Sequence, residues 1–256
     1  MIAKVSIQNN EYKVDLNDPL DISIPLKAGD NNTSAWYVDG ISIDAVKTDS
    51  FNGSVEEGGS VNFRNISFNP HGNGTHTECL GHITPNIYSV NKAIKQFFSL
   101  ATLISITPET GWNDDDFSSD DDLILSLEAI KNALGDEVNE SIVIRTLPNS
   151  KDKTHKNWSE SNWPQLDVKA AKWLADMGVK NLLIDLPSVD REMDGGKLLS
   201  HHAYWQVPQD ERMDASITEM IFVSDEIEDG DYLLELQFAP FENDASPSRP
   251  VLYRLL

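Results

Sequence analysis

Three of the chain's six histidines, its single cysteine and one glutamate fall within the stretch NPHGNGTHTECLGHI, residues 69–83. Imidazole nitrogens and a carboxylate are the donors that zinc, manganese and iron take from proteins. His76 and Glu78 are two residues apart, and an extended strand puts such a pair on one face. His71 precedes His76 across Gly72-Asn73-Gly74, and a glycine-rich turn lets the chain fold back so that His71 reaches the same point. His82 has the same parity as His76, although a turn at Gly81 leaves its side open. Two other uses compete with a metal site. Cys79 as a nucleophile needs a histidine partner and a lowered pKa, and strand alternation points it away from His76 and Glu78. A plain polar loop is the blander reading, and so many donors in so short a run weigh against it. A serine hydrolase is weaker still, because the chain has no G-x-S-x-G elbow.

More donors lie downstream. His201 and His202 stand in LLSHHAYW, Glu219 in ASITEMIF, and Asp185, Ser188 and Asp190 in LIDLPSVD. Ser188 and Asp190 have two readings: they orient ligands from behind, or they cap the loop after the strand NLLIDL, which is the preferred one.

The elements that must position these residues are mostly strands. AKVSIQ and YKVDL flank Asn9-Asn10, a hairpin turn. LDISIPL, GISIDAV, VNFRNISF, LATLISI, ESIVIRTL, KNLLIDL, YLLELQF and VLYRLL read as further strands. Three helices are expected, over SVNKAIKQFFSL, SSDDDLILSLEAIKNAL and LDVKAAKWLADMG. In the second, Ser119 caps and Gly135 follows the end. In the third, Leu166, Ala170, Trp173, Leu174 and Met177 share a face. The acidic run from Asp114 to Asp122 lacks the ligand order and the glycine of a calcium loop and reads as solvated loop and helix start. The class is mixed α and β, in one domain over residues 1–256.

Composition bounds the partners. Asp+Glu number 42 against Lys+Arg 20, a formal charge of −22. Such a surface repels phosphate backbones, so nucleic acid is not expected. No stretch approaches a membrane span and the N-terminus resembles no targeting segment, so a cytoplasmic protein is the simplest expectation.

Taken in order, these pieces resemble the metal-dependent cyclase/kynurenine formamidase superfamily, which includes isatin hydrolases. GTH at Gly74-Thr75-His76, then Glu78 and His82, looks like its H-x-G-T-H-x-D-x-P-x-H signature. LDISIPL followed by Trp36 is similar to its opening strand and substrate-side tryptophan. MGVKNLLIDLPSVD, SHHAYW, ITEM and NDASPSRPV resemble later segments, so the likeness runs from about residue 20 to the end. The resemblance implies a swivelling β/β/α fold, a homodimer, and a hydrolase of small amides, formamides or lactams using one or two zinc or manganese ions. By position, His71, His76 and Glu78 would hold a first ion and His201 and Glu219 complete a second, with a carboxylate bridging. His201 is favoured over His202 because "SH" matches the family phrase. His82 would be the acid–base and Trp36 a wall for a small aromatic substrate. The chain departs from the pattern at three points: five residues rather than four from His71 to His76, Glu78 for aspartate, and Leu80 for proline. QVPQDERMD also lengthens the connection between His201 and Glu219. A non-catalytic binding protein of this fold, and a cyclase or dehydratase of a hydroxy acid, stay open beside the hydrolase.

Overall fold

The computed structural model describes residues 1–7, 10–29, 31–113, 118–135 and 137–256. Its centre is a nine-stranded mixed sheet. In spatial order the strands are Ala245–Pro247, His76–Cys79, Ser216–Glu219, Asn181–Ile184, Ser141–Thr146, Phe98–Ile106, Gly230–Glu235, Val251–Arg254 and Leu20–Asp21. The four from Ser216–Glu219 to Phe98–Ile106 run parallel, and the strands outside them pair antiparallel. A parallel strand covered on both faces needs apolar side chains in both directions, which is why SIVIRT and NLLI read as unbroken apolar runs. Ile142, Ile144, Leu182 and Ile184 face one core, and Val143 and Leu183 face the other.

Four helices are present among the described residues: α1 (Val90–Ala93), α2 (Leu127–Leu134), α3 (Val168–Asp176) and α4 (Leu199–Trp205). α3 packs on α4, and α2 lies against the Phe98–Ile106 strand. Ala170 and Leu174 of α3, with Tyr204 and Trp205 of α4, fill the core on that side of the sheet. The architecture is therefore mixed α and β and rich in sheet, as the sequence indicates.

Several boundaries differ from expectation. Residues 119–126 are not helical: Leu123–Leu125 form a strand that pairs with Gln165–Leu166, and α2 begins one residue after Ser126. Ile124 and Leu125 are buried by that pairing, and the Ser126 hydroxyl accepts from Ala129 N, the role expected of Ser119. Ser119 instead hydrogen-bonds Asp122. The helix expected over residues 89–100 is one turn, because Phe98 onward is recruited into the central sheet opposite Glu235. Leu166 lies in a strand, with Asp167 capping α3, and Met177 is exposed. Only Leu20–Asp21 of LDISIPL joins the sheet. The N-terminal strands pair with Ile7 opposite Asn10, which makes Asn10 a strand residue; Asn9 lies outside the described residues. So does part of the acidic run, residues 114–117.

Candidate metal centre

The site forms at the carboxyl ends of the parallel strands, where open α/β sheets gather ligands. Glu219 closes the Ser216–Glu219 strand and sits directly opposite His76, the first residue of the antiparallel His76–Cys79 strand. Glu78 lies two residues along and on the same face. It pairs with Ile217 on one side and Ala245 on the other. Cys79 points the opposite way, into a cluster with Val90 and Ile94, and burial raises its thiol pKa to about 11. That orientation and that pKa both remove it as a nucleophile.

His71 comes in from a tight loop. The Asn69 side chain accepts from the backbone N–H groups of His71 and Gly72, and the Asn73 side chain accepts from Asn69 N. A Cβ on Gly72 would stand 2.7 Å from both Val38 methyls. Gly74 has φ +129°, and a Cβ there would stand 2.6 Å from Leu26 Cδ2. Glycine is therefore required at both positions. The loop absorbs the residue by which the His71–His76 spacing exceeds the family pattern, and His71 still arrives with Nδ1 3.0 Å from Glu78 Oε2.

His201 is the third residue of α4, and the Asp190 carboxylate anchors that end of the helix. One oxygen accepts from Ser200 N at 2.8 Å, the other from His201 N at 3.1 Å. The second oxygen also lies 2.6 Å from His201 Nδ1. Asp190 thus ties the loop to the helix and faces an imidazole nitrogen. Ser188 stays within the loop, where its hydroxyl accepts from Asp190 N, the capping arrangement preferred for it, and it touches no imidazole. His202 turns away, with Nδ1 3.4 Å from Val207 O. The QVPQDERMD segment is held elsewhere, by Arg212 donating to Tyr204 O and Val179 O. Leu198 (φ +46°) and Met220 (φ +53°) are left-handed non-glycine residues close to His201 and Glu219. Each costs about 1–3 kcal/mol, and Met220 is held by its N–H donating to Leu186 O and by Thr75 donating to its carbonyl.

The imidazoles share one arrangement. In each, one nitrogen faces an outer acceptor and the other faces Glu78. His76 Nδ1 lies 2.9 Å from Gly74 O, a group that can only accept, so Nδ1 is the donor there and Nε2 turns inward. His201 gives Nδ1 to Asp190 and turns Nε2 to Glu78 Oε1 at 3.1 Å. His71 gives Nε2 to Asp244 Oδ2 at 2.8 Å and turns Nδ1 inward. Outer acceptors that fix the tautomer in this way are the usual backing of metal-binding histidines. Among the described residues, His76 Nε2 and Glu78 Oε2 are buried with no well-aligned hydrogen bond. Glu219 Oε2 stands 3.4 Å from His76 Nε2, while Glu219 Oε1 accepts from Val189 N. Orphaned lone pairs this deep cost on the order of 1–3 kcal/mol each, and a cation at their focus would satisfy them. The ligating atoms of His71, His76 and Glu78 lie within 4.8 Å of one another, as do those of Glu78, His82 and His201.

The electrostatics agree. Burial alone would raise the Glu78 pKa, but the imidazoles of His82, His201 and His71 hold it well below the carboxylate range. Burial disfavours charge on His71, yet the Asp244 and Glu78 carboxylates outweigh it and push that pKa up to about 10. His201 is raised likewise by Asp190 and Glu78, against its burial. Without a cation, protons on these rings balance the buried acid.

Asp244 is the residue that sequence reasoning missed. It stands just before the edge strand Ala245–Pro247, and its only signal was its place in NDASPSRPV. His82, at the end of a single 3₁₀ turn, stacks on His71 at 4.3 Å between ring centroids, with Nδ1 3.4 Å from Asp244 Oδ2. Trp36 meets Trp163 edge-on at 5.2 Å, and Trp163 donates to Asp190 O at 2.9 Å, so its link to the imidazoles runs through that loop.

Comparison with known proteins accords with this geometry. Residues 15–191 match the Cyclase family. The chain is similar to a kynurenine formamidase of Bordetella avium, 32% identical over 121 residues, which is 47% of this chain and 52% of that one. It thus spans about half the length of that curated relative. Among solved structures, it resembles a potential metal-dependent hydrolase with cyclase activity at 15% identity and a TM-score of 0.62, covering 92% of this chain and 97% of the other. It also resembles isatin hydrolase A of Labrenzia aggregata at 14% identity and a TM-score of 0.59, covering 92% and 93%. At such identities the structures speak for the fold, while the sequence match takes in well over half of the residues, and on it the chain belongs to the Cyclase family.

Proposed function

We propose that this protein is a metal-dependent hydrolase of small amides, formamides or lactams. The observation that carries the reading is the inward turn of three imidazoles onto Glu78, with His76 Nε2 and Glu78 Oε2 buried and lacking a well-aligned hydrogen bond among the described residues. His71, His76 and Glu78 would hold one ion, and His201 and Glu219 a second, with Glu78 between them. Imidazole and carboxylate donors suit zinc or manganese. When bound, such an ion lowers the pKa of a water to about 7 and polarises a carbonyl. The protein's own groups do the rest. His82, the least buried of these imidazoles, points Nε2 inward and carries the proton from the attacking water to the leaving nitrogen. Asp190 holds the His201 ring in place. Trp36 gives an apolar wall for an aromatic substrate.

The test is metal analysis after reconstitution with zinc or manganese, together with turnover of N-formyl aromatics and isatin-like lactams. Wild type is expected to bind metal and hydrolyse members of the panel, and His76→Ala to lose both. Metal-free wild type after reconstitution, or undiminished hydrolysis by His76→Ala, rejects the reading.

We also propose a homodimer in solution. The antiparallel ladders Ser42–Ala45 with Arg64–Ser67, and Lys47–Thr48 with Phe51–Asn52, stand outside the central sheet. Ile66 in these ladders, and Val55, Val61 and Phe63 in the segment that joins them, are exposed. Several exposed apolar side chains in one short segment support this reading, since large apolar patches mark interaction surfaces.

A further inference from the structure

We infer that Asp244 is a positioning residue that orients two imidazoles with one oxygen, presenting His82 to the reaction through Nε2 and His71 to the metal through Nδ1. The inference rests on the hydrolase reading for what the two rings then do, though not for how they are held. Asp244 Oδ2 lies 2.8 Å from His71 Nε2 and 3.4 Å from His82 Nδ1. A carboxylate oxygen can only accept, so Asp244 favours a proton on each nitrogen that faces it. The opposite nitrogens are the ones left for chemistry. His82 Nε2 stands 3.9 Å from Glu78 Oε2. That gap is too long for a direct hydrogen bond and suits an intervening water.

The backbone fixes the carboxylate where both rings can use it. Cys79 N donates to Asp244 O at 3.0 Å, and Val90 N donates to Asn243 O at 2.8 Å. The next residue, Ala245, is locked opposite Glu78 in the edge-strand ladder. Asp244 is thus held one step from Glu78 by main-chain bonds rather than by a mobile side-chain pairing. The rings it serves are stacked, with planes 28° apart, so one acceptor reaches both. A surface ion pair would need none of this. The same logic holds on the far side of the site, where Asp190 takes His201 Nδ1. In that case the acceptor serves a single ring.

The experiment is nitrogen-detected NMR of the histidines in the metal-free full-length chain at pH 8, in wild type and Asp244→Ala, followed by steady-state kinetics of the metal-loaded forms on an N-formyl aromatic. Wild type is expected to show His82 as the Nδ1–H tautomer, and Asp244→Ala to lose that preference. kcat is expected to fall about 10- to 100-fold, the range for removing the outer partner of a site histidine, with KM little changed. Asp244→Glu, which restores the carboxylate, should recover part of the loss. A wild-type His82 in the Nε2–H form overturns the inference without any variant, and so does an unchanged tautomer in Asp244→Ala. Turnover is judged separately: the expected tautomers in a wild type that hydrolyses no amide would overturn the hydrolase reading and leave the positioning role standing.

Discussion

Glu78 is fully enclosed, and four imidazoles stand within 4 Å of its carboxylate. In the metal-free protein the balancing charge is protonic, and this has a direction in pH. The His71 pKa is raised from the ordinary imidazole 6.5 to about 10. A group raised on folding adds stability that is complete below its unfolded pKa and is lost as pH climbs through the folded one. Metal-free protein should therefore lose thermal stability between about pH 6.5 and about pH 10, with His201, raised in the same sense, contributing. Zinc-loaded protein should lack that decline, since ligation requires the inward nitrogens unprotonated and binding expels the protons. Melting curves with and without chelator check this; a flat metal-free profile over that window would contradict it. His71, His76, Glu78 and His82 were legible in the sequence because they are neighbours in it. Glu219 and His201 needed a resemblance. Asp244 was hidden because 173 residues separate it from His71, and main-chain pairing alone makes them adjacent.

At the scale of elements, the site hangs on short pieces of backbone in demanding conformations. Gly74 carries the clearest constraint, a positive φ with Leu26 close behind it. Gly74→Ala combines the strain with a side-chain clash, and is expected to cost about 1–3 kcal/mol in global stability. Because Gly74 O fixes the tautomer of His76, the same variant should weaken zinc binding. Denaturant melts and a zinc titration measure the two effects, and retention of both would show that the loop repacks freely. Three strands of the parallel core were readable from their apolar runs, whereas Ser216–Glu219, with its serine, threonine and glutamate, was not. The α2 boundary was not, because the acidic residues before Leu123 look like a helix start. Their actual partners are distant in sequence: Asp122 pairs with Arg191, and Leu123–Leu125 lies between Glu109–Thr110 and Gln165–Leu166. Local propensity cannot report a pairing of that kind.

For the molecule as a whole, a charge of −22 per chain opposes association, and burial of apolar surface must exceed that repulsion. If the arm carrying Phe63 and Ile66 is the dimer contact, Phe63→Glu with Ile66→Glu should yield monomers by analytical ultracentrifugation with melting temperature almost unchanged. Added salt, which screens like charges, should favour the wild-type dimer. A double variant that sediments as wild type would place the interface elsewhere. Composition made the sign of this field obvious. The arm itself was legible only as two strands, because nothing in GISIDAV or VNFRNISF says that they leave the main sheet.

Asp244 enters the site through the edge strand Ala245–Pro247, which zips onto His76–Cys79. During synthesis, the first histidines leave the ribosome long before that edge can close. A nascent chain therefore holds most of a metal site while still lacking the acceptor for two of its rings. Completion of the ladder, rather than emergence of the donors, is the event that brings the acceptor to those two rings, so an ion held at the proposed site would report on the finished sheet.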